Sequence, residues 1–145
     1  MITIKTNINI NRSASEVFAY ISNFENNPLW QSGMKEAKFT TTGTVRIGST
    51  YAQVASFLGR RIESKFEVIA YEPNRMVKAT STSGTFPITF TRIVEAKAGG
   101  CVVTAIIEGD ASGIFKIAKP FLNWMVQKSV DGDYTNLKKI LETSK

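Results

Sequence analysis

Few side chains in this sequence could carry out proton or metal chemistry. The 145 residues include no histidine and a single cysteine, Cys101. The lack of histidine removes the commonest general base near neutral pH, the commonest metal ligand and every triad that contains histidine. Cys101 lies in the apolar run CVVTAII, where a buried structural thiol is expected instead of a nucleophile. We therefore predict no metal, no cofactor and no covalent intermediate.

The remaining candidates for chemistry are carboxylates, hydroxyls and amides. Glu63 and Glu67 fall on the predicted outer face of a strand, so no pair of carboxylates points inward for acid and base work. Any activity would depend on orientation and hydrogen bonding by groups such as Tyr51, Gln53 and Asn123. No catalytic residue is assigned on this basis.

Charge and composition limit the partners. The net charge is +6 and the pI is about 9.6, which would suit an anionic partner. Lysine and arginine are nevertheless scattered, without a dense basic run or interleaved aromatic residues, which favours a solvated surface over nucleic-acid binding. No apolar run approaches the length of a membrane span, and the N-terminus alternates like a strand instead of resembling a signal peptide. We expect a cytoplasmic protein with one domain over residues 1–145, as a monomer or weak homodimer.

A long helix near the C-terminus must position any site. Over residues 113–141 apolar side chains recur at intervals of three and four, the spacing of an amphipathic helix. Asp110 or Ser112 could cap its first turn. Pro120 falls inside this period and predicts either a kink or the start of the long helix after a short separate one. Because most of the preceding chain has strand character, the helix is expected to lie across a sheet.

The N-terminal part predicts one strand followed by two short helices. Isoleucines at alternate positions of residues 2–10 indicate a strand with one buried face. Ser13 and Glu16 have the spacing of a capping box, which marks a helix start. A break at residues 26–28 precedes a second short helix, which is expected to carry Trp30 inward.

The middle of the chain predicts six strands of an antiparallel meander. Turn residues recur there at strand spacing. A two-residue loop at positions 58 and 59 pairs Tyr51 with Phe66 and Gln53 with Ser64. The intervening charged residues then point to the other face, so the hairpin register and the charge pattern agree.

The inner face of this sheet combines large aromatic residues with small or polar ones. A solid core would instead use branched aliphatic residues that fill the space completely. The pattern therefore predicts a cavity. Its members on the central strands are Tyr51, Gln53, Ala55, Phe57, Ser64, Phe66, Ala79 and Ser81.

The following strands extend the same face. Pairing Tyr71 with Met76 across the next turn directs Val77 and alternate residues after it inward. Alternate residues from 86 to 90 point to the same face of the strand as Arg92. Arg92 is therefore either an inward cation or the mark of a bulge or strand end. The bulge or strand-end exit is favoured, because an unpaired buried guanidinium is costly.

The order and spacing of several motifs resemble the START-like helix-grip superfamily, in its polyketide cyclase and dehydrase branch. The motifs are INRSASEVFAYISNFENNPLWQ, GSTYAQVASFLGRR, VIAYEPNRMV, the Gly-Gly pair at 99 and 100, and DYTNLKKILE, which together extend over the whole chain. The resemblance implies an α+β helix-grip fold, in which a curved antiparallel sheet of about seven strands surrounds a long C-terminal helix. It also implies two short helices after the first strand and an elongated apolar cavity.

Members of that superfamily bind lipids, sterols, polyketides or plant hormones, and a minority catalyse cyclisation or dehydration. The resemblance thus predicts binding of a small, mainly apolar ligand between sheet and helix. Two alternatives remain open: a polyketide cyclase or dehydratase that acts by orienting its substrate, and a protein-interaction module with an exposed apolar patch. The predicted ligand-binding residues are Trp30, Tyr51, Gln53, Phe57, Ser64, Phe66, Phe86, Phe90, Phe121, Asn123, Trp124 and Met125.

Overall fold

A computed structural model describes residues 2–84, 86–110 and 118–143. The elements in chain order are β1 (Ile2–Ile10), α1 (Ala14–Ser22), a 3-10 turn (Phe24–Asn26), α2 (Asn27–Trp30), β2 (Met34–Phe39), β3 (Thr50–Phe57), β4 (Arg60–Glu72), β5 (Met76–Gly84), β6 (Ile88–Lys97), β7 (Gly100–Gly109) and α3 (Lys119–Thr143). These elements confirm the predicted α+β composition, with two short helices after the first strand.

The seven strands form one antiparallel sheet in the order β1-β7-β6-β5-β4-β3-β2. Each neighbouring pair from β2 to β7 is also consecutive in sequence, and β1 joins the far side by pairing with β7. The sheet curls into a half-barrel around α3, which confirms the helix-grip fold. Because the sheet is curled, the inward residues of distant strands converge on the same space beneath the helix.

The register of the β3–β4 hairpin is confirmed, and that of the next hairpin is corrected by one residue. Tyr71 lies opposite Val77 and not opposite Met76. The difference arises at the turn, where Glu72 pairs with Met76 and leaves residues 73–75 as the loop. Farther along, β4 has an extra residue, Ile69, between its pairings at positions 68 and 70, and this bulge restores the predicted register at Val68 and Ala79. Val77 and Ala79 are nevertheless fully buried, as predicted.

The first helix begins with the predicted capping box. The Ser13 hydroxyl accepts from the Glu16 backbone N–H at 3.2 Å and donates to the Glu16 carboxylate at 2.9 Å. These bonds satisfy a donor that the helix itself leaves unpaired, and they hold the start of α1. The inward face of α1 then buries Val17, Phe18 and Ile21 against the sheet.

Replacing Ser13 with alanine is expected to lower the free energy of unfolding by about 1 kcal/mol, because the N-cap acceptor is lost. Urea denaturation followed by circular dichroism measures the change. Ser83→Ala is the control, because Ser83 is an exposed strand residue that caps no helix, and its loss should cost less than about 0.5 kcal/mol. Equal effects of the two substitutions would contradict a specific capping role for Ser13.

The long helix α3 begins at Lys119, which places Pro120 in its first turn. Proline is tolerated there, since the N–H groups of the first turn have no partner within the helix. Of the two alternatives, Pro120 therefore starts the helix and does not kink it. The predicted cap at Ser112 and the helix preceding Pro120 fall within residues 111–117, outside the described residues.

The second half of α3 is held against the rest of the protein. Tyr134, Leu137 and Leu141 are buried in the main core. Gln127 donates to the Lys5 carbonyl at 3.1 Å, and Lys138 donates to the Asn9 carbonyl at 2.6 Å. These bonds cover edge strand β1, whose backbone would otherwise be open to pairing with another chain.

Candidate functional site

A cavity of about 240 Å³ lies between the inner face of the sheet and the first half of α3. Aliphatic and aromatic side chains form most of its wall. Among the described residues, four neutral or acidic polar side chains interrupt this wall, from β3, β4, α3 and the position after the last strand. The described part of the lining consists of Ile2, Ile4, Met34, Gln53, Ala55, Phe57, Ile62, Ser64, Phe86, Ile88, Ile107, Gly109, Asp110, Leu122, Val126, Ser129 and Val130.

The two sides of the cavity come from two periodicities in the sequence. On α3, the residues Leu122, Val126 and Val130 are four apart and therefore share one helix face. On β1, Ile2 and Ile4 alternate toward the same side of the sheet and pack with Leu122 in one apolar cluster. The cavity therefore lies between this face of α3 and the inner face of the sheet, where side chains do not fill the space.

Gln53 and Ser64 form a polar pair on the sheet side of this cavity. They face each other across β3 and β4, next to the buried pair Tyr51 and Phe66. Ser64 is only 7% exposed. A Cβ at Gly84 would lie 2.8 Å from the Ser64 hydroxyl, so glycine at that position leaves room for it. Within the described ranges, neither the Gln53 nor the Ser64 side chain makes a hydrogen bond, and their polar atoms are not completely enclosed by the protein.

Next to the cavity, the core contains a buried cation. Arg92 is 3% exposed and donates from Nη1 to the Ile21 carbonyl at 2.8 Å and to Asn27 Oδ1 at 3.0 Å. Its guanidinium carbon lies 4.9 Å from the ring centroids of both Trp30 and Phe90. The acceptors and the aromatic faces take the place of hydration around the charge.

The favoured interpretation of Arg92 as a bulge or strand-end residue is therefore wrong. Strand β6 pairs with β7 without interruption from Ile88 to Lys97, so Arg92 follows the inward alternation of its strand. The carbonyl that it binds belongs to the last turn of α1, where a positive charge is favourable. This partner is distant in sequence, so the strand alone does not reveal it.

Four of the predicted ligand-binding residues line the cavity: Gln53, Phe57, Ser64 and Phe86. A second group fills the adjacent core and does not belong to the cavity wall. Tyr51 stacks on Phe66 with 5.2 Å between ring centroids. Burial raises the pKa of the Tyr51 hydroxyl, and the positive charge of Arg92 opposes this more weakly. The core group consists of Trp30, Tyr51, Phe66 and Phe90.

The inward orientation expected for Phe121, Asn123 and Trp124 is corrected by the structure. Phe121 is 54% exposed, Trp124 is 56% exposed, and Asn123 also faces outward. With about 100° of rotation per residue, the inward placement of Leu122 and Val126 turns these neighbours away from the sheet. The exposed rings stack at 5.9 Å, and this surface is the one that the protein-interaction alternative would use.

Met125 is half-buried and does not line the cavity. The residues missing from the predicted wall are instead aliphatic, with Ile2, Ile4 and Ile107 among them. Their signal was the alternation of β1 and β7, which places these isoleucines on the inner face. A wall predicted mainly from aromatic residues does not include them.

A larger depression of about 590 Å³ lies along β2, β3 and β4. Its wall includes Glu36, Lys38, Glu63 and Lys65, whose alternation is that of the outward face. These charges are exposed and of both signs, as on a solvated surface. The smaller inner cavity is the better candidate site, because apolar side chains converge there around the two polar side chains of Gln53 and Ser64.

The chemistry available at the inner cavity is binding and orientation. The hydroxyl of Ser64 and the amide of Gln53 can each donate and accept hydrogen bonds. In the described part of the chain, no group of three or more histidine, cysteine, aspartate or glutamate side chains could hold a metal ion. Cys101 is fully buried, and burial raises the pKa of its thiol, as expected of a structural cysteine. None of the helices among the described residues is long and apolar enough to span a membrane.

Solved structures of other proteins share this architecture. A protein from Thermus thermophilus aligns with a TM-score of 0.80 and 12% identity, over 98% of this chain and 99% of that one. A START superfamily protein from Mycobacterium smegmatis aligns with a TM-score of 0.73 and 15% identity, over 98% and 95%. At these identities the likeness establishes the fold alone.

The di-domain ARO/CYC protein BexL of the BE-7585A biosynthetic pathway also aligns, with a TM-score of 0.73 and 17% identity. The alignment covers 98% of this chain and 47% of BexL, so this chain corresponds to about half of that protein. A search of curated proteins finds no match. The family model described as polyketide cyclase/dehydrase and lipid transport matches residues 1–142. With nearly every residue matched, the chain belongs to this family.

Proposed function

We propose that this protein binds a small, mainly apolar molecule in the cavity between the sheet and the first half of α3. The observation that carries the proposal is the wall itself, where aliphatic side chains from β1, β7 and α3 surround about 240 Å³ of unfilled space. Cores normally pack to crystal-like density, so an unfilled apolar space of this size is suited to a ligand. The family description, which includes lipid transport, supports the same function.

The volume of the cavity limits the size of the ligand. At about 240 Å³, it is roughly 1.6 times the apolar cavity of about 150 Å³ that accommodates benzene. In proportion, a ligand of about ten non-hydrogen atoms fits, such as two fused aromatic rings or a short alkyl chain. A four-ring sterol or a diacyl lipid would require the cavity to expand.

The number of ligand atoms that fit the cavity gives an expected affinity. Small ligands gain between about 0.3 and 1.5 kcal/mol per non-hydrogen atom, and an intermediate value of about 0.6 kcal/mol gives about 6 kcal/mol for ten atoms. This corresponds to a dissociation constant on the order of tens of micromolar. Naphthalene, with ten carbon atoms, is therefore a suitable first probe.

Replacing Ala55 with phenylalanine is expected to weaken naphthalene binding at least about tenfold, because the new ring would occupy the cavity that Ala55 lines. The matched control is Ala52→Phe, which introduces the same ring on the opposite face of β3. Isothermal titration calorimetry and amide chemical-shift titration measure the affinity and locate the ligand. Wild-type protein that does not bind naphthalene, or an Ala55→Phe variant that binds it as well as wild type, would refute the proposal.

A second candidate function is cyclisation or dehydration of a poly-β-keto substrate by orientation. It is supported by the family description and by the polar pair Gln53 and Ser64, which could hold a carbonyl group in a folded chain. The test compares the products of a reactive poly-β-keto thioester with wild type and with the Gln53→Leu, Ser64→Ala variant. A cyclised product made only by wild type would support catalysis, whereas identical product distributions would leave ligand binding alone.

A further inference from the structure

We infer that the cavity selects a neutral ligand bearing a hydroxyl or keto group, and that it discriminates against the corresponding carboxylate. The inference rests on the proposed function, because it concerns the ligand of the same cavity. Gln53 and Ser64 form the subsite that would bind this polar group. Three observations support it: two unpaired polar side chains, the absence of a cation in the described lining, and the apolar surroundings of the pair.

The first observation is that folding leaves this pair without partners. Ser64 is 7% exposed, and no hydrogen bond reaches its hydroxyl or the Gln53 amide within residues 2–84, 86–110 and 118–143. Polar atoms that line a mainly apolar cavity without a protein partner can bond to a ligand. A polar group of the ligand would supply the missing bonds.

The second observation is the charge of the wall. The described lining contains no lysine or arginine, and its ionisable side chain is Asp110. The positive charge of Arg92 lies outside the lining, where it is enclosed by Trp30 and Phe90. A carboxylate entering the cavity would lose hydration without gaining a cation from the described lining, which is unfavourable.

The third observation is the apolar surroundings of the pair, which leave a ligand's polar group to bond with Gln53 and Ser64. A hydroxyl group on the ligand can donate to the Gln53 carbonyl oxygen and accept from the Ser64 hydroxyl. A ketone can accept from both side chains, through the Gln53 amide nitrogen and the Ser64 hydroxyl. Ile62 and Ala55 lie directly beside the pair, so the carbon skeleton of the ligand has apolar contacts around its polar group.

The test compares three probes that share one skeleton: naphthalene, 2-naphthol and 2-naphthoate. Calorimetry at pH 7 should show that 2-naphthol binds about tenfold more tightly than naphthalene, and that 2-naphthoate binds at least about tenfold more weakly than naphthalene. In the Gln53→Leu, Ser64→Ala variant, the preference for 2-naphthol should disappear while naphthalene binding persists. Ser83→Ala, a serine substitution on the outward face, should leave all three affinities unchanged.

The outcomes separate this inference from the proposed function. If 2-naphthoate binds as tightly as 2-naphthol, or if the double variant retains the preference for 2-naphthol, the inference is overturned while naphthalene binding still supports the cavity. If none of the three probes binds to the wild-type protein, both proposals fail. Persistent naphthalene binding in the double variant also shows that the variant is folded, so a lost preference cannot be attributed to misfolding.

Discussion

Replacing Asn27 with alanine is expected to lower the free energy of unfolding by about 2–4 kcal/mol, because a buried charge loses a hydrogen-bond acceptor. Asn27 is 1% exposed, and its Oδ1 accepts from Arg92 Nη1 at 3.0 Å. Water cannot easily take the place of the amide in this part of the core. Urea denaturation at pH 7 measures the change.

A double-mutant cycle tests whether this loss of unfolding free energy comes from the charge of Arg92. In an Arg92→Met background, Asn27→Ala should cost at least about 1 kcal/mol less, because no guanidinium remains to lose its acceptor. Asn27→Asp is the conservative control, because it retains an acceptor oxygen and adds a negative charge beside the cation. The account is wrong if Asn27→Ala changes the free energy of unfolding by less than about 0.5 kcal/mol, or if the two substitutions are additive.

Truncating Leu137 to alanine is expected to lower the free energy of unfolding by about 3–5 kcal/mol, and the same change at Leu122 by only about 2–3 kcal/mol. Both leucines lie on the inward face of α3 and are nearly fully buried. Leu137 belongs to the main core. Leu122 borders the cavity, so its side chain contacts fewer atoms and its truncation removes fewer contacts. Thermal and urea denaturation of the two variants measure the difference.

The Leu122→Ala variant should also change the ligand that fits. Removing the outer carbons of this side chain enlarges the cavity, so a three-ring ligand such as anthracene should bind the variant more tightly than wild type. Leu137→Ala serves as the control, because its truncation lies outside the cavity wall. Equal anthracene affinities in the two variants, or a larger loss of stability at Leu122 than at Leu137, would count against the position assigned to the cavity.

Local patterns in the sequence were sufficient for most of the fold. The capping box at Ser13 and the β3–β4 register involve residues that are neighbours in the chain or lie across one short turn. Alternation along a strand then determines which side chains share a face, so Gln53 and Ser64 could be placed together on the inner face. Resemblance to the superfamily supplied the curved sheet around the long helix, and the pairing of β1 with β7 was found only in the structure.

The bulge in β4 shows where such patterns fail. Ile69 is apolar and 44% exposed, and nothing in its immediate sequence marks it as an extra residue. The bulge follows from fitting two strands of a strongly curved sheet together, which depends on the whole sheet. The predicted pairing was wrong by one residue between the turn and this bulge, and correct again at Val68 and Ala79.

The sequence by itself determined the order of elements, the faces of the strands and the polar pair Gln53 and Ser64, because these follow from spacing along the chain. Only the tertiary structure decided which inward-facing residues line the cavity and which pack in the core. Arg92 points inward because the end of α1 and Asn27, 65 or more positions away, provide acceptors for it. Phe121 and Trp124 point outward because Leu122 faces the cavity, and the rotation between successive helix residues turns these neighbours away from it. Burial depends on partners brought together by the fold, and these partners are distant in sequence.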